Sequence, residues 1–314
     1  MKRIQYHTYG GPQVMRVEDF DLPPTGEGEV AVGVRFAAIN PIDWKLRSGQ
    51  MKIVTGKKFP RAMGMDFSGT VLSVGPGVTR LKVGDAVFGL ARFKESGAFA
   101  EAVITKEAFL THKPDDVSFE EAACLGTPGI TAWNGLIDKA RLQAGQQVFI
   151  NGCAGAVGEA AVQIALMHGA IVSGSCSARD IQRAKTLGVQ TVYDYRNTKV
   201  SSIAARFDVV YDTAATLAVS TGVAMLRPGG VFLDLNPGPG KFIRAIFDRR
   251  LKPIIGSPRA EILDKLAKAV SAGSFRVPIS KSVALRDAIK LIGDIENGLK
   301  PGGKAVIEMV NEIG

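Results

Sequence analysis

Over residues 1–121 the apolar positions fall in short runs that alternate with polar ones or carry β-branched side chains: 4–6, 14–17, 29–37, 70–74, 86–90 and 98–104. Turn-forming clusters separate them at Gly10-Gly11-Pro12, Pro23-Pro24, Gly75-Pro76-Gly77 and Val83-Gly84-Asp85. This pattern predicts a compact β domain of barrel type. At Ser118-Phe119-Glu120-Glu121 the texture changes to a capping-box helix start. From about residue 122 strands (147–150, 171–175, 191–193, 208–212, 231–235, 253–255) alternate with helical stretches such as 159–167 and 180–187. Alternation of this kind predicts a doubly wound parallel sheet. Beyond about 277 the pattern stops; 283–293 reads as an amphipathic helix and 304–310 as a last strand returning to the first domain. The expected division is therefore 1–121, 122–276 and a C-terminal return over 277–314.

One stretch carries chemistry on its face. After the 147–150 strand come Gly152, Gly155 and Gly158, with Ala156 and Val157 between the last two, and an apolar helix follows at once. Strand, glycine turn and helix make a cradle for a pyrophosphate, because glycine admits close backbone approach and the helix start offers unpaired N–H groups. The second strand then decides which dinucleotide fits. An NAD site carries an acid about 20 residues past the glycines, to bind the ribose hydroxyls. Here that place reads Ser175-Cys176-Ser177-Ala178-Arg179, with no carboxylate before Asp180. Hydroxyls and a guanidinium suit a 2′-phosphate, so NADPH is the expected cofactor. Tyr195 and Arg196 would close over the same phosphate or form a plain surface loop. Cys153 and Cys176 fall close by, and inert small residues are the simpler reading.

Composition changes this picture little. The chain has 314 residues, 46% hydrophobic and 22% charged, as two ordinary globular domains would. Its start lacks the apolar core of a signal peptide and no apolar run is long enough for a bilayer, so a cytoplasmic enzyme without integral membrane association is expected. Three separated cysteines and three histidines offer neither a disulfide framework nor a metal clip, so no protein metal site is expected. The net charge of +9 is spread along the chain, densest at Arg244, Arg249, Arg250 and Lys252 with little aromatic interleaving. This argues against nucleic acid, favours a solvated surface, and leaves open a weak association with an anionic membrane surface.

The motifs together resemble the medium-chain dehydrogenase/reductase family, in its zinc-free quinone oxidoreductase branch. They include Asn40-Pro41-Ile42-Asp43-Trp44-Lys45, Gly64-Met65-Asp66-Phe67-Ser68-Gly69, Val83-Gly84-Asp85, Gly129-Ile130-Thr131-Ala132, the Gly152–Gly158 loop with Gln163, Cys176-Ser177-Ala178-Arg179, Val192-Tyr193-Asp194-Tyr195, Asn236-Pro237-Gly238-Pro239 and Gly303-Lys304. The resemblance implies a GroES-like catalytic domain (1–121, completed by 277–314) joined to a Rossmann NADP-binding domain, and a homo-oligomer, in its simplest form a homodimer. Zinc-containing relatives place a ligand Cys where this chain has Asn40 and a ligand His where it has Met65, and they carry a four-cysteine lobe that is missing here.

Without a metal to polarise a carbonyl, a quinone or an α,β-unsaturated ketone or aldehyde is the suitable hydride acceptor, since it is already electrophilic. By resemblance Asn40 stands in the vacated ligand place, where its amide would donate to the acceptor oxygen or merely form a turn before Pro41. Asp43 stands near the same wall. Lys45 would meet developing oxyanion charge or sit in an external salt bridge, and Asp66 would orient a neighbour or stabilise its own turn. Gly126, Thr127, Thr131, Asp212, Thr213, Leu235, Asn236 and Pro237 are expected around the nicotinamide, with Lys304 a further cofactor contact. Two alternatives remain: an NADPH-binding sensor, scaffold or crystallin-like protein with little turnover, and a metal-dependent alcohol dehydrogenase. No nucleophile–base triad or carboxylate pair supports hydrolysis.

Overall fold

The computed structural model describes residues 1–203, 206–236 and 238–309. The chain forms two compact units: residues 1–127 together with the chain from 258 onward, and residues 128–257. The first boundary comes later than expected because the Phe119–Ala123 helix packs on strands of the first unit. The return comes earlier, at 258, because the Ala260–Ser271 helix packs on the Leu110–His112 strand.

In the first unit one sheet runs Ile279–Ala284, Lys304–Glu308, Glu29–Ala38, Asp66–Val74, Ala86–Leu90, Leu110–His112, with Ala102–Lys106 also paired to Glu29–Ala38. A smaller sheet joins Met15–Asp19, Lys2–Tyr6 and Arg61–Ala62. The long Glu29–Ala38 strand is the hub, and its inward Val30, Val32, Val34 and Ala37 meet Phe67, Phe99 and Ile307 in one core. The predicted strands are present, with shifted ends. The strand expected at 14–17 is Met15–Asp19, because Pro12–Val14 forms a single helical turn first. The strand expected at 98–104 is Ala102–Lys106; residues 98–101 instead cross the first strand, where Phe99 O accepts from Ile4 N. The capping box at Ser118 forms as read, with Ser118 Oγ accepting from Glu121 N.

In the C-terminal return, the helix expected at 283–293 is Leu285–Glu296, preceded by the unexpected strand Ile279–Ala284. The last strand ends at Glu308; residues 310–314 lie outside the described residues. The helix is tied to Pro41–Arg47 by Arg47, whose fully buried guanidinium places Nη2 2.7 and 2.5 Å from the two Glu296 carboxylate oxygens.

The second unit is the doubly wound sheet: six parallel strands in the order Thr191–Asp194, Ile171–Cys176, Gln147–Asn151, Phe207–Asp212, Leu226–Asp234, Leu251–Pro253. Its core gathers Phe149, Phe207, Val210, Phe232 and Leu251. The order reverses direction beside Gln147–Asn151, where ligands of such sheets bind beyond the strands' carboxyl ends. The last strand lies at 251–253 rather than 253–255, leaving Ile255 exposed. Among the described residues no helix is long and apolar enough to cross a membrane.

Candidate active site

The second unit holds the glycine turn at the end of Gln147–Asn151. Gly152 has φ +84°, and a Cβ there would come within 2.9 Å of the Ala214 Cβ. Gly158 is held more tightly: a Cβ would lie 2.0 Å from the Gly152 carbonyl oxygen. Gly155 is the N-cap of Ala156–Met167. Ala156 and Val157 open that helix in helical conformation, so alanine costs nothing there. The first N–H groups of the helix have no partner within it and carry its positive dipole end. The turn therefore fits a pyrophosphate.

Beneath the turn lies a buried network that the sequence did not reveal. Asn151 Nδ2 donates to Asp212 Oδ1 (2.7 Å) and Thr216 Oγ1 (2.9 Å), while Asn151 Oδ1 accepts from Ser175 Oγ (2.6 Å). Ser175, Asn151 and Asp212 are register partners on three adjacent strands, which is why their side chains meet. Asp212 Oδ2 also accepts from Leu217 N, and Thr213 Oγ1 donates to Asn151 O. Ser175 and Asp212, expected as cofactor contacts, are instead buried and committed to Asn151, so they shape the turn from below. Burial pushes the Asp212 carboxyl above its usual range. Asn151 itself had one sequence signal, a polar residue closing an apolar strand just before the first glycine.

On the adenosine side Ser177 Oγ and Arg179 Nε both donate to Asp180 Oδ2. Arg179 is exposed and Ser177 half-buried. Arg183, not singled out from sequence, joins this loop to the glycine turn: Nη2 donates to Ala154 O (2.7 Å) and lies 3.4 Å from Asp180, and Nε lies 3.0 Å from Glu159 Oε1. Burial pushes Glu159 up to about 7 against the pull of Arg183. Tyr195 is exposed, its N–H on Cys176 O and its ring under the Arg196 guanidinium at 5.9 Å. Cys153 and Cys176 are buried and their thiols pushed up by desolvation, which suits inert packing. Thr131 is buried and its carbonyl accepts from Tyr211 Oη. Leu235 is half-buried and Asn236 exposed, its N–H donating to Asp234 Oδ1; Pro237 lies outside the described residues.

The first unit holds a second buried cluster. Asn40 lies two residues past the end of the hub strand and is the N-cap of Pro41–Arg47, where Asp43 Oδ2 accepts the Asn40 N–H (2.7 Å). Asn40 Nδ2 donates to Ala38 O (3.1 Å) and Asp66 Oδ2 (3.0 Å), and Asn40 Oδ1 accepts from Lys304 Nζ (2.6 Å). Lys304 Nζ also donates to Ile39 O at 2.7 Å. Asp66 accepts from Thr127 N (2.9 Å) and Thr127 Oγ1 (2.5 Å). Burial drives the Asp43 and Asp66 carboxyls upward, and Lys304 pulls both down.

These contacts correct the expectations for Asn40 and Lys304 and define the part Thr127 can play. Both amide hydrogens of Asn40 are spent inside the protein, so it has none to offer an acceptor. Lys304 puts its ammonium into this cluster rather than outward to a cofactor. Thr127 gives its hydroxyl hydrogen to Asp66, which leaves that oxygen only as an acceptor. Asp66 orients Asn40 and Thr127, as one of its two readings held. Lys45 is half-buried and makes no salt bridge among the described residues. The cluster does not fit zinc either. Asn40 is saturated, Met65 offers a buried thioether, and an ammonium sits 2.6 Å from Asn40 Oδ1. Zinc sites are built from thiolate, imidazole and carboxylate, and a fixed cation repels the metal. Among the described residues no group of three or more His, Cys, Asp or Glu could hold a metal ion.

Comparison with known families and proteins agrees with this architecture. Residues 26–115 match the alcohol dehydrogenase GroES-like domain, and residues 156–235 match the family described as zinc-binding dehydrogenase. The chain is 29% identical over 304 residues to a chloroplast envelope quinone oxidoreductase homolog of Arabidopsis thaliana, covering 92% of each. It is 31% identical to an NADPH-dependent alkenal/one oxidoreductase, chloroplastic, of the same plant, over 75% of this chain and 62% of the other. Its fold superposes on the quinone oxidoreductase from Coxiella burnetii with TM-score 0.88 and 29% identity, over 98% and 99% of the two chains. A GroES-like β unit that the chain leaves and re-enters, a six-stranded parallel sheet with its glycine turn, and these matches place it: the chain belongs to the medium-chain dehydrogenase/reductase family of oxidoreductases, in the quinone oxidoreductase branch.

Proposed function

We propose that the protein is an NADPH-dependent, metal-free reductase that delivers hydride to a quinone or to the activated C=C bond of an α,β-unsaturated ketone or aldehyde. The observation that carries this reading is the glycine turn, where Gly158 leaves no room for a Cβ and the helix start faces the space in front of it. The Gly152–Gly158 turn would hold the pyrophosphate through the N–H groups of Ala156, Val157 and Gly158. Ser177 and Arg179 would hold the 2′-phosphate in exchange for Asp180, with Tyr195 beside them. Thr127, Thr131, Leu235 and Asn236 would flank the nicotinamide, Thr127 as hydrogen-bond acceptor. The bound cofactor supplies the hydride. Lys45, free of any salt bridge among the described residues, would meet the negative charge that grows on the acceptor oxygen. Asn40, Asp43, Asp66 and Lys304 act one step back, fixing the end of the hub strand and the position of Thr127.

The test is steady-state oxidation of NADPH with 9,10-phenanthrenequinone and with a short-chain enone, with NADH as control and product analysis. Turnover with at least one acceptor and a preference for NADPH is expected. Arg179→Ala should erode that preference by about tenfold, the worth of one charge-assisted hydrogen bond. Tight NADPH binding without turnover of either acceptor would assign the chain to the binding-protein alternative, and an NADH preference would overturn the roles given to Ser177 and Arg179.

A further inference from the structure

The helix whose start fits a pyrophosphate carries an acid in its own first turn. Glu159 belongs to that turn of Ala156–Met167 and is buried. The positive end of a helix favours a negative charge, so an ionised Glu159 and a pyrophosphate compete for the same end. The groups that face Glu159 come from two sides. Arg183, on the Ile181–Thr186 helix, places Nε 3.0 Å from Glu159 Oε1. Asp180, the N-cap of that helix, repels a charge on Glu159, and the Cys153 thiol of the glycine turn feels that charge too.

Arg183 does more than pair with Glu159. Its Nη2 donates to Ala154 O in the glycine turn at 2.7 Å and lies 3.4 Å from Asp180 Oδ1. Asp180 in turn accepts from Ser177 and Arg179. One guanidinium thus spans the turn and the adenosine loop, the two places where the cofactor would put its phosphates, and its side chain is still 32% exposed. As it stands, Glu159 and Asp180 offset its charge.

We propose that Glu159 and Arg183 form a proton-coupled clasp: NADPH binds with Glu159 protonated, and Arg183, released from that carboxylate, gives its charge to the cofactor's phosphates. This rests on the dinucleotide reading of the turn. Each NADPH bound takes one proton from solvent onto a Glu159 carboxylate oxygen, and no covalent bond of the cofactor changes. Burial already holds Glu159 at about 7, and phosphate charge at the same helix end pushes it higher. A group that holds its proton more tightly in the complex gives full affinity below its value before binding. Above that value affinity falls, by up to about tenfold per pH unit, until the pH passes the value in the complex.

The full-length protein is titrated with NADPH and with NADH by fluorescence from pH 7 to 8.5, and by calorimetry at pH 8 in two buffers of different ionisation enthalpy. A phosphate monoester loses its second proton near pH 6, below this range. The wild type should lose about tenfold in NADPH affinity across the range and take up more than about half a proton per NADPH at pH 8. Glu159→Gln, which copies the protonated acid, should flatten the profile and bind NADPH about tenfold more tightly than the wild type at pH 8.5. Arg183→Gln should weaken binding about tenfold at pH 7, as the loss of a charge-assisted hydrogen bond does. NADH carries the same pyrophosphate and should show the same slope. A preference for NADH with that slope would remove the roles of Ser177 and Arg179 while supporting the clasp. A flat wild-type profile, no proton uptake, or an unchanged slope in Glu159→Gln would overturn the clasp; the calorimetry decides on the wild type alone should that variant not fold. Binding of neither dinucleotide would overturn it together with the reading it rests on.

Discussion

Asn40 shows how far single residues could be read. Its position at a strand end before Pro41, and its place in the motif, marked it from sequence; the fate of its two amide hydrogens could not be marked. Hydrogen bonds are counted only once Ala38, Asp66 and Lys304 are in place, and Lys304 is 264 positions away. Ser175 and Asp212 were likewise found as strand-end polar residues but misjudged in direction, because Asn151 between them fixes where they point. The same cluster yields a pH prediction. Burial raises Asp43 and Asp66 above the unfolded aspartate value of about 3.9. A raised carboxyl favours folding at low pH, and that advantage is lost as pH rises through the raised value. Lys304 holds both carboxyls down, so removing it moves that loss to higher pH and enlarges it. Lys304→Met should therefore destabilise the protein by about 3 kcal/mol at pH 8, in the range for breaking a buried charge pair, and by clearly less at pH 5. Urea denaturation at the two pH values measures this; equal losses would show that the ammonium charge is not felt by the carboxyls.

At the scale of elements, what local chemistry dictates was legible and what pairing dictates was not. The glycine turn, the Ser118 capping box and the apolar strands of the parallel sheet each carry their signal within a few residues. The Ile279–Ala284 strand carries none: its Ser280, Lys281 and Ser282 are polar and exposed, and it is a strand because Lys304–Glu308 pairs with it. Leu226–Asp234 outruns its predicted start for a similar reason, since Phe207 and Leu226 pair before the register shift. The turn also separates two glycines that look alike in sequence. A Cβ on Gly155 would find its nearest neighbour at 3.5 Å, whereas one on Gly158 would lie 2.0 Å from a backbone oxygen that cannot move alone. Gly155→Ala should cost about 1 kcal/mol or less, as an N-cap change. Gly158→Ala should cost about 3 kcal/mol, the upper part of the range for overpacking, and should weaken NADPH binding with it. Thermal denaturation and NADPH fluorescence titration of the two variants give the comparison, and similar losses would mean that the turn relaxes where the packing says it cannot.

At the scale of the molecule, the order of the chain decides which parts can stand alone. The parallel sheet is continuous in sequence, from 128 to 257, with its own aromatic core. The β unit is not: Leu285, Leu291, Ile292, Ala305 and Ile307 come from the return and complete the core built on the hub strand. Lys304–Glu308 lies between Glu29–Ala38 and Ile279–Ala284, and Arg47 depends on Glu296 for its only carboxylate among the described residues. Ending the chain after residue 277 therefore removes an inner strand, a packed helix and the partner of a buried guanidinium at once. Burying so much on one cooperative unit predicts that residues 1–127 lose their fold while the parallel sheet keeps its own. Each unit carries one tryptophan, Trp44 on the core of the first and Trp133 buried in the second. In the truncated chain carrying Trp133→Phe, Trp44 emission should shift to the red at zero denaturant. In the truncated chain carrying Trp44→Phe, Trp133 should stay blue-shifted and unfold in a cooperative urea transition. Loss of both signals would show that the parallel sheet needs the β unit to fold, and retention of both would show that the first 127 residues close a core without the return.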